Sequence, residues 1–161
     1  MNGHKWTPEE IERLQRTSKS GGFMNRATLV TRWVNKLGYK GLKILDFGSG
    51  IPPRQTRILR EQDLNVTPYD FGYPSPIAKH YDIVMVSNVL NVHKNLKAIK
   101  ATIQQVIEAL RGPSSFALIN YPSSPRYISE MSSERLQQLL NTYFTEVQRL
   151  PGPGLVWKCH L

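Results

Sequence analysis

Apolar positions in this chain follow two spacings, and the alternation between them lays out its elements. Short solid aliphatic runs at Ile44-Leu45, Ile83-Val-Met-Val86 and Phe116-Ala-Leu-Ile119 read as strands buried on both faces, as in a parallel sheet. The strands they predict span Leu42 to Phe47, Asp82 to Ser87 and Ser115 to Asn120, and Leu64 to Asp70 forms another. Helical spacing separates them. Leu29, Val30, Trp33 and Leu37 predict a helix from Asn25 to Leu37, ended by Gly38. Leu96, Ile99, Ile103, Val106, Ile107 and Leu110 predict a longer one from Asn95, stopped by Gly112-Pro113. Thr7-Pro8-Glu9-Glu10 marks a helix start, with Thr7 as cap, Pro8 in the first turn and Glu10 closing a capping box. That helix passes Ile11 and Leu14 and stops near Ser18 to Gly22. Residues 53–62 and Ser133 to Leu140 read as further helices. Phe144 to Arg149 and Leu155 to Cys159 read as two antiparallel strands joined by Pro151-Gly-Pro-Gly154.

Strand alternating with helix predicts an α/β fold with a doubly wound, mostly parallel sheet. The closing hairpin argues against a nicotinamide-binding domain, which would continue with parallel crossovers. The 161 residues suffice for one domain with a hydrophobic core. The expectation is a single domain over 1–161: an N-terminal helical segment, 1–41, and a core, 42–161.

Composition narrows the class. Apolar residues make up 40% and charged residues 20%, as in soluble globular proteins. The longest aliphatic run, Ile83 to Val86, is far too short to span a bilayer, and Met1-Asn-Gly-His-Lys-Trp6 has no signal-peptide core. Cys159 is the only cysteine, so no intrachain disulfide and no cysteine zinc cage can form. A cytoplasmic protein without a metal centre or membrane partner is expected. The net charge of +9 is uneven: residues 1–43 carry nine Lys and Arg against Glu9, Glu10 and Glu12, a net +6. Such a bias favours RNA or DNA as partner, and a solvated basic surface explains it equally.

The chemistry concentrates in Lys43-Ile-Leu-Asp-Phe-Gly-Ser-Gly-Ile-Pro-Pro53. A buried strand meets Asp46, then Gly48 and Gly50, then a helix. Glycines there let the backbone approach a ligand, and such loops at strand ends hold nucleotide-like cofactors.

This order of parts resembles the class I S-adenosylmethionine-dependent methyltransferases. The matching segments are Ile44-Leu-Asp-Phe-Gly-Ser-Gly50, Asp70 at the end of the second strand, and Tyr81-Asp-Ile-Val-Met-Val-Ser-Asn-Val-Leu90. The resemblance spans residue 25 onward, and Ser87 to Val92 looks like small phage and bacterial members. It implies a three-layer Rossmann-like sandwich and S-adenosylmethionine as cofactor. By resemblance, Asp46, Gly48, Ser49 and Gly50 cradle the methionine part, and Asp70 accepts both ribose hydroxyls. Ser87, Asn88 and Asn91 stand where the substrate-facing motif leaves its strand, with Ser87 and Asn88 reaching the cofactor.

Two departures from the family stand out. Ile51-Pro52 replaces a third glycine, and only Phe71 to Tyr81 fill a stretch that usually holds a helix, a strand and a helix. The sheet should therefore be trimmed to about six strands. Phe71 and Tyr73 are then the candidates to flank adenine.

The methyl acceptor is either a nucleic acid or a small molecule. Other readings are a non-methyltransferase enzyme using S-adenosylmethionine, or a catalytically silent module that binds cofactor or nucleic acid. Ser87-Asn-Val-Leu90 replaces the Asp/Asn-Pro-Pro-aromatic motif of amino methylation, and no Pro-Cys pair serves cytosine C5 chemistry. His93 is a candidate general base or, alternatively, a helix-entry residue. Asn88 and Asn91 either orient a nucleophile or cap backbone. Lys19, Arg26, Arg32 and Tyr121 are candidate substrate contacts, with Trp6, Trp33 and Tyr39 as possible stacking residues. The trios Arg54, Arg57, Arg60 and Lys94, Lys97, Lys100 read as wet helix faces or phosphate contacts.

Overall fold

The computed structural model describes residues 6–21, 26–71, 81–121 and 131–161, with backbone alone for 17–21. Five α-helices lie among these residues: α1 (Pro8–Gly21), α2 (Leu29–Leu37), α3 (Arg54–Arg60), α4 (Leu96–Ala109) and α5 (Ser133–Tyr143). The described strands are β1 (Lys43–Phe47), β2 (Asn65–Tyr69), β3 (Ile83–Val86), β4 (Phe116–Asn120), β5 (Glu146–Arg149) and β6 (Val156–His160). They form one sheet ordered β2-β1-β3-β4-β6-β5. The first four run parallel, whereas β6 is antiparallel to both β4 and β5. This is the mostly parallel α/β architecture expected from the sequence. Pro68 lies in β2, at the sheet's edge, where its missing N–H disturbs pairing least.

Successive residues of a strand point to opposite faces, and both faces here are covered. Leu45, Phe47, Val84, Val86, Ala117, Ile119, Trp157 and Cys159 pack under Ile99, Ile103 and Val106 of α4 and Leu136 and Leu140 of α5. Ile44, Ile83, Met85, Phe116, Leu118 and Val156 pack under Val30 and Val34 of α2 and Leu59 of α3. The result is helix, sheet, helix. Cys159 is a core residue, and burial pushes its thiol up to about 12.

Capping residues set most helix ends. Glu10 N–H donates to Thr7 Oγ1 at 3.2 Å, and Thr7 N–H donates to Glu10 Oε2 at 2.9 Å, which closes the expected capping box. Gly38 ends α2 in the left-handed region, at φ 61°. Helix α2 begins at Leu29 and not at Asn25, which lies outside the described residues. Thr28 is its extended N-cap, and its N–H donates to Gln55 Oε1 at 3.0 Å. Within α2 the buried positions are Val30, Thr31 and Val34, and Leu37 is 43% exposed. Pro53 caps α3, so Arg54 takes the first helical position, and α5 runs past Leu140 to Tyr143.

Sheet order places the functional end. From β1 the chain crosses the α2/α3 face to reach β2, whereas β3 leads into α4 on the other face. The carboxyl ends of β1 and β3 therefore diverge and open a crevice, where doubly wound sheets bind ligands.

Candidate functional site

One side of the crevice is the glycine loop. Gly48 and Gly50 adopt φ 74° and 81°, values that side chains rarely tolerate. Gly48 and Ser49 both donate their N–H groups to Tyr69 O, at 2.8 and 2.9 Å, so the loop wraps the end of β2. Gly50 N–H donates to Asp70 Oδ2 at 2.9 Å, which joins the glycine loop to the acid twenty residues on. Close packing further disfavours a side chain at 48: a Cβ there would lie 2.5 Å from Val89 Cγ2.

Two buried acids underlie this loop. Asp46 and Asp70 are each 1% exposed. Thr56 Oγ1, on α3, donates to Asp46 Oδ2 at 2.7 Å. Burial raises the Asp46 carboxyl to about 6, opposed by the Thr56 bond and reinforced by the neighbouring charge of Asp70. Two carboxylates in one crevice favour a cation, and their oxygens suit the cis-diol of a ribose. S-adenosylmethionine offers both, a sulfonium and ammonium pair beside a ribose, so the loop and its acids fit that cofactor. Asp70 can serve both a loop N–H and a diol, since a carboxylate accepts several bonds.

The end of β3 forms the other side. Asn88 sits at φ 56° and is held there by Asn120 at the end of β4. Asn120 Oδ1 accepts Asn88 N–H at 2.6 Å, and Asn120 Nδ2 donates to Asn88 Oδ1 at 2.7 Å. Ser87 Oγ donates to Thr28 Oγ1 at 2.9 Å, and Gln55 Nε2 donates to Arg26 O at 2.9 Å. These bonds tie residues 26–28 to both β3 and α3. Beside them opens a cavity of about 490 Å³, lined by Arg26, Arg32, Asn88, Asn120, Tyr121 and Leu155 among others.

The sequence candidates thus separate into groups. Asp46, Gly48, Ser49, Gly50 and Asp70 meet at the loop, and Arg26, Arg32, Asn88 and Tyr121 meet at the cavity. Phe71 joins an aromatic cluster with Phe47, Tyr69, Trp6 and His93. His93 is fully buried, its Nε2 2.7 Å from Thr102 Oγ1 and its ring stacked on Trp6 at 5.7 Å. It does not line the cavity with Asn88. Asn91 lies in a 3-10 turn, Leu90–Val92, with its Oδ1 buried and unbonded. Trp33 and Tyr39 pack against the core on the α2 face. The side chain of Lys19, and all of Tyr73, lie outside the described residues. Asn120, Thr28, Gln55 and Thr56 were missed from sequence. Only Asn120 carried a signal, a polar residue ending a run of buried ones.

No protein-family model matches the sequence, and no curated protein matches it. Solved structures do share its fold. The 1,6-didemethyltoxoflavin-N1-methyltransferase of Burkholderia thailandensis, solved with 1,6-didemethyltoxoflavin and S-adenosylhomocysteine bound, superposes with a TM-score of 0.66. It is 19% identical, over 99% of this chain and 91% of that one. A methyltransferase from Bacteroides fragilis, in complex with S-adenosylhomocysteine, gives 0.61 at 15% identity, over 88% and 81% of the two chains. The TehB-like methyltransferase of Corynebacterium glutamicum gives 0.60 at 13%, over 95% and 97%. All three are described as methyltransferases, the second and third as S-adenosylmethionine-dependent. The chain has the fold of the class I S-adenosylmethionine-dependent methyltransferases.

Proposed function

We propose that the protein transfers a methyl group from S-adenosylmethionine to a small-molecule acceptor. One observation carries this reading. Two consecutive residues link the two halves of the site: Val89 packs against Gly48 of the glycine loop, and Asn88 lines the cavity. A donor held in the loop and an acceptor held in the cavity would then be neighbours, and alignment supplies much of the rate of such a transfer. When bound, the cofactor supplies an activated methyl group whose bonding pair stays on the departing sulfur. The chain's own part is to hold that group with Gly48, Gly50, Asp46 and Asp70, and to present the acceptor beside Asn88.

An RNA or DNA acceptor finds its support in the charge of residues 1–43. The fold divides that charge. Arg26 and Arg32 line the cavity, whereas Lys36 and Lys43 lie in the last turn of α2 and at the start of β1, the opposite end of the sheet. A small acceptor agrees better with a cavity of this size.

Thermal unfolding with S-adenosylmethionine, S-adenosylhomocysteine and NADH tests the cofactor. The first two should raise the midpoint, because ligands of the folded state stabilise it. A shift with NADH alone refutes the reading. Labelled-methyl transfer to metabolite and nucleic-acid pools tests the reaction, and cofactor binding without any transfer would favour a silent binding module.

A further inference from the structure

We propose that the cavity beside Asn88 and Asn120 takes a compact, largely apolar acceptor bearing one oxyanion, a carboxylate or phosphate ester, which Arg26 and Arg32 hold. That the bound molecule is then methylated rests on the reading above; that it binds does not.

The hydrogen bonds settle what the cavity can offer. A backbone N–H only donates, so the bond from Asn88 N–H requires Asn120 to present Oδ1. Asn120 must then present Nδ2 to Asn88 Oδ1, which leaves Asn88 Nδ2 as the donor that this pairing does not use. The other hydroxyls are already committed. Tyr121 donates its hydroxyl to Met131 O at 3.0 Å, and Thr28 Oγ1 is shared between Ser87 and Thr31. The side-chain donors that remain at the cavity are Asn88 Nδ2 and two guanidinium groups. Among the described residues no carboxylate lines it, and neither Arg26 nor Arg32 forms an ion pair.

The apolar part of the described lining is Ala27, Leu29, Leu155 and the ring of Tyr121. A ligand that satisfies this surface presents acceptors at two ends and an apolar body between. An oxyanion meets the guanidinium forks with charge-assisted bonds. A lone-pair atom meets Asn88 Nδ2, on the side nearest the glycine loop. The backbone that carries Arg26 is anchored. Gln55 grips the backbone at Arg26 and Thr28, and Gly154 seats against Leu29, where a Cβ would fall 2.4 Å from Leu29 Cδ1.

Calorimetric titration of the full chain with 4-hydroxybenzoate, 4-hydroxyphenyl phosphate and neutral 4-hydroxybenzamide tests the proposal, with and without S-adenosylhomocysteine. At least one of the two anions should bind about tenfold more tightly than the amide. Arg26→Gln and Arg32→Gln should each remove most of that preference and leave the amide unaffected. Lys36→Gln, which deletes the same charge at the far end of α2, should change nothing. Preference for the carboxylate or the phosphate names the oxyanion. Equal binding of anion and amide, an equal effect of Lys36→Gln, or no binding by any of the three overturns the proposal. So does binding of a short RNA or DNA strand that Arg26→Gln and Arg32→Gln abolish while the small anions fail. Binding of the anion without binding of S-adenosylhomocysteine would keep the cavity assignment and remove the methyltransferase reading.

Discussion

Three residues at the end of β1 and β2 carry separable roles. Gly48 is favoured twice, by its φ of 74° and by Val89. Gly48→Ala should destabilise the protein by about 1–3 kcal/mol in urea denaturation, from left-handed strain plus overpacking. Adding Val89→Ala should recover the packing share and leave the backbone share. Asp46 makes a pH-dependent contribution. Its carboxyl ordinarily titrates near 3.8 and in the fold near about 6, so between these values the folded chain holds more protons than the unfolded one. Its contribution to stability is therefore full below about pH 4 and falls as pH rises through about 6. Asp46→Asn should remove this loss. Relative to the variant, the wild type should weaken by roughly 2–3 kcal/mol from pH 4 to 7 in denaturant titrations. Asp70→Ala should cost cofactor affinity about 1–3 kcal/mol, read by calorimetry, by stranding groups that a carboxylate satisfies. Unchanged affinity would detach Asp70 from the ribose.

At the scale of elements, caps decide where helices begin. Asn95 Oδ1 accepts Ala98 N–H at 2.8 Å at the start of α4, which carries much of one core face. Asn95→Ala should cost about 0.5–2 kcal/mol in thermal or urea unfolding. Gln55 acts between elements, from α3 to the segment before α2. Thr7, Glu10 and Gly38 were legible because a cap is local chemistry within about three or four residues. The true start of α2 was not. Its cap, Thr28, is held by Gln55, 27 residues away, and by Ser87, 59 residues away. Leu37 was read into the apolar stripe because nine residues give a short period to judge, and the packing selects Val34.

For the whole molecule, strand order matters most. The chain order of strands does not state that β1 lies between β2 and β3, or that β6 inserts beside β4, yet that order creates the crevice. It also divides the basic segment between two ends of the sheet, which the total charge conceals. The resemblance pairs the glycine loop with Asp70, and the structure joins the two through the bond from Gly50 N–H to Asp70 Oδ2. The cavity was legible only in part. Arg26, Arg32, Asn88 and Tyr121 were named singly, and nothing local signalled that Asn120 would lock Asn88 from 32 residues away. His93 illustrates the converse, since its position before α4 says nothing of its burial between Trp6 and Thr102.

By itself the sequence determined the succession of strands and helices, the glycine turn after β1 and the closing antiparallel pair. Each depends on periodicity or on contacts a few residues apart. Only the tertiary structure decided which of the candidate side chains face one another, and so that the site divides into a glycine loop beside a cavity where Arg26, Arg32 and Asn88 meet. Those contacts join residues twenty to sixty positions apart, and sheet order and packing, which no local pattern encodes, bring them together.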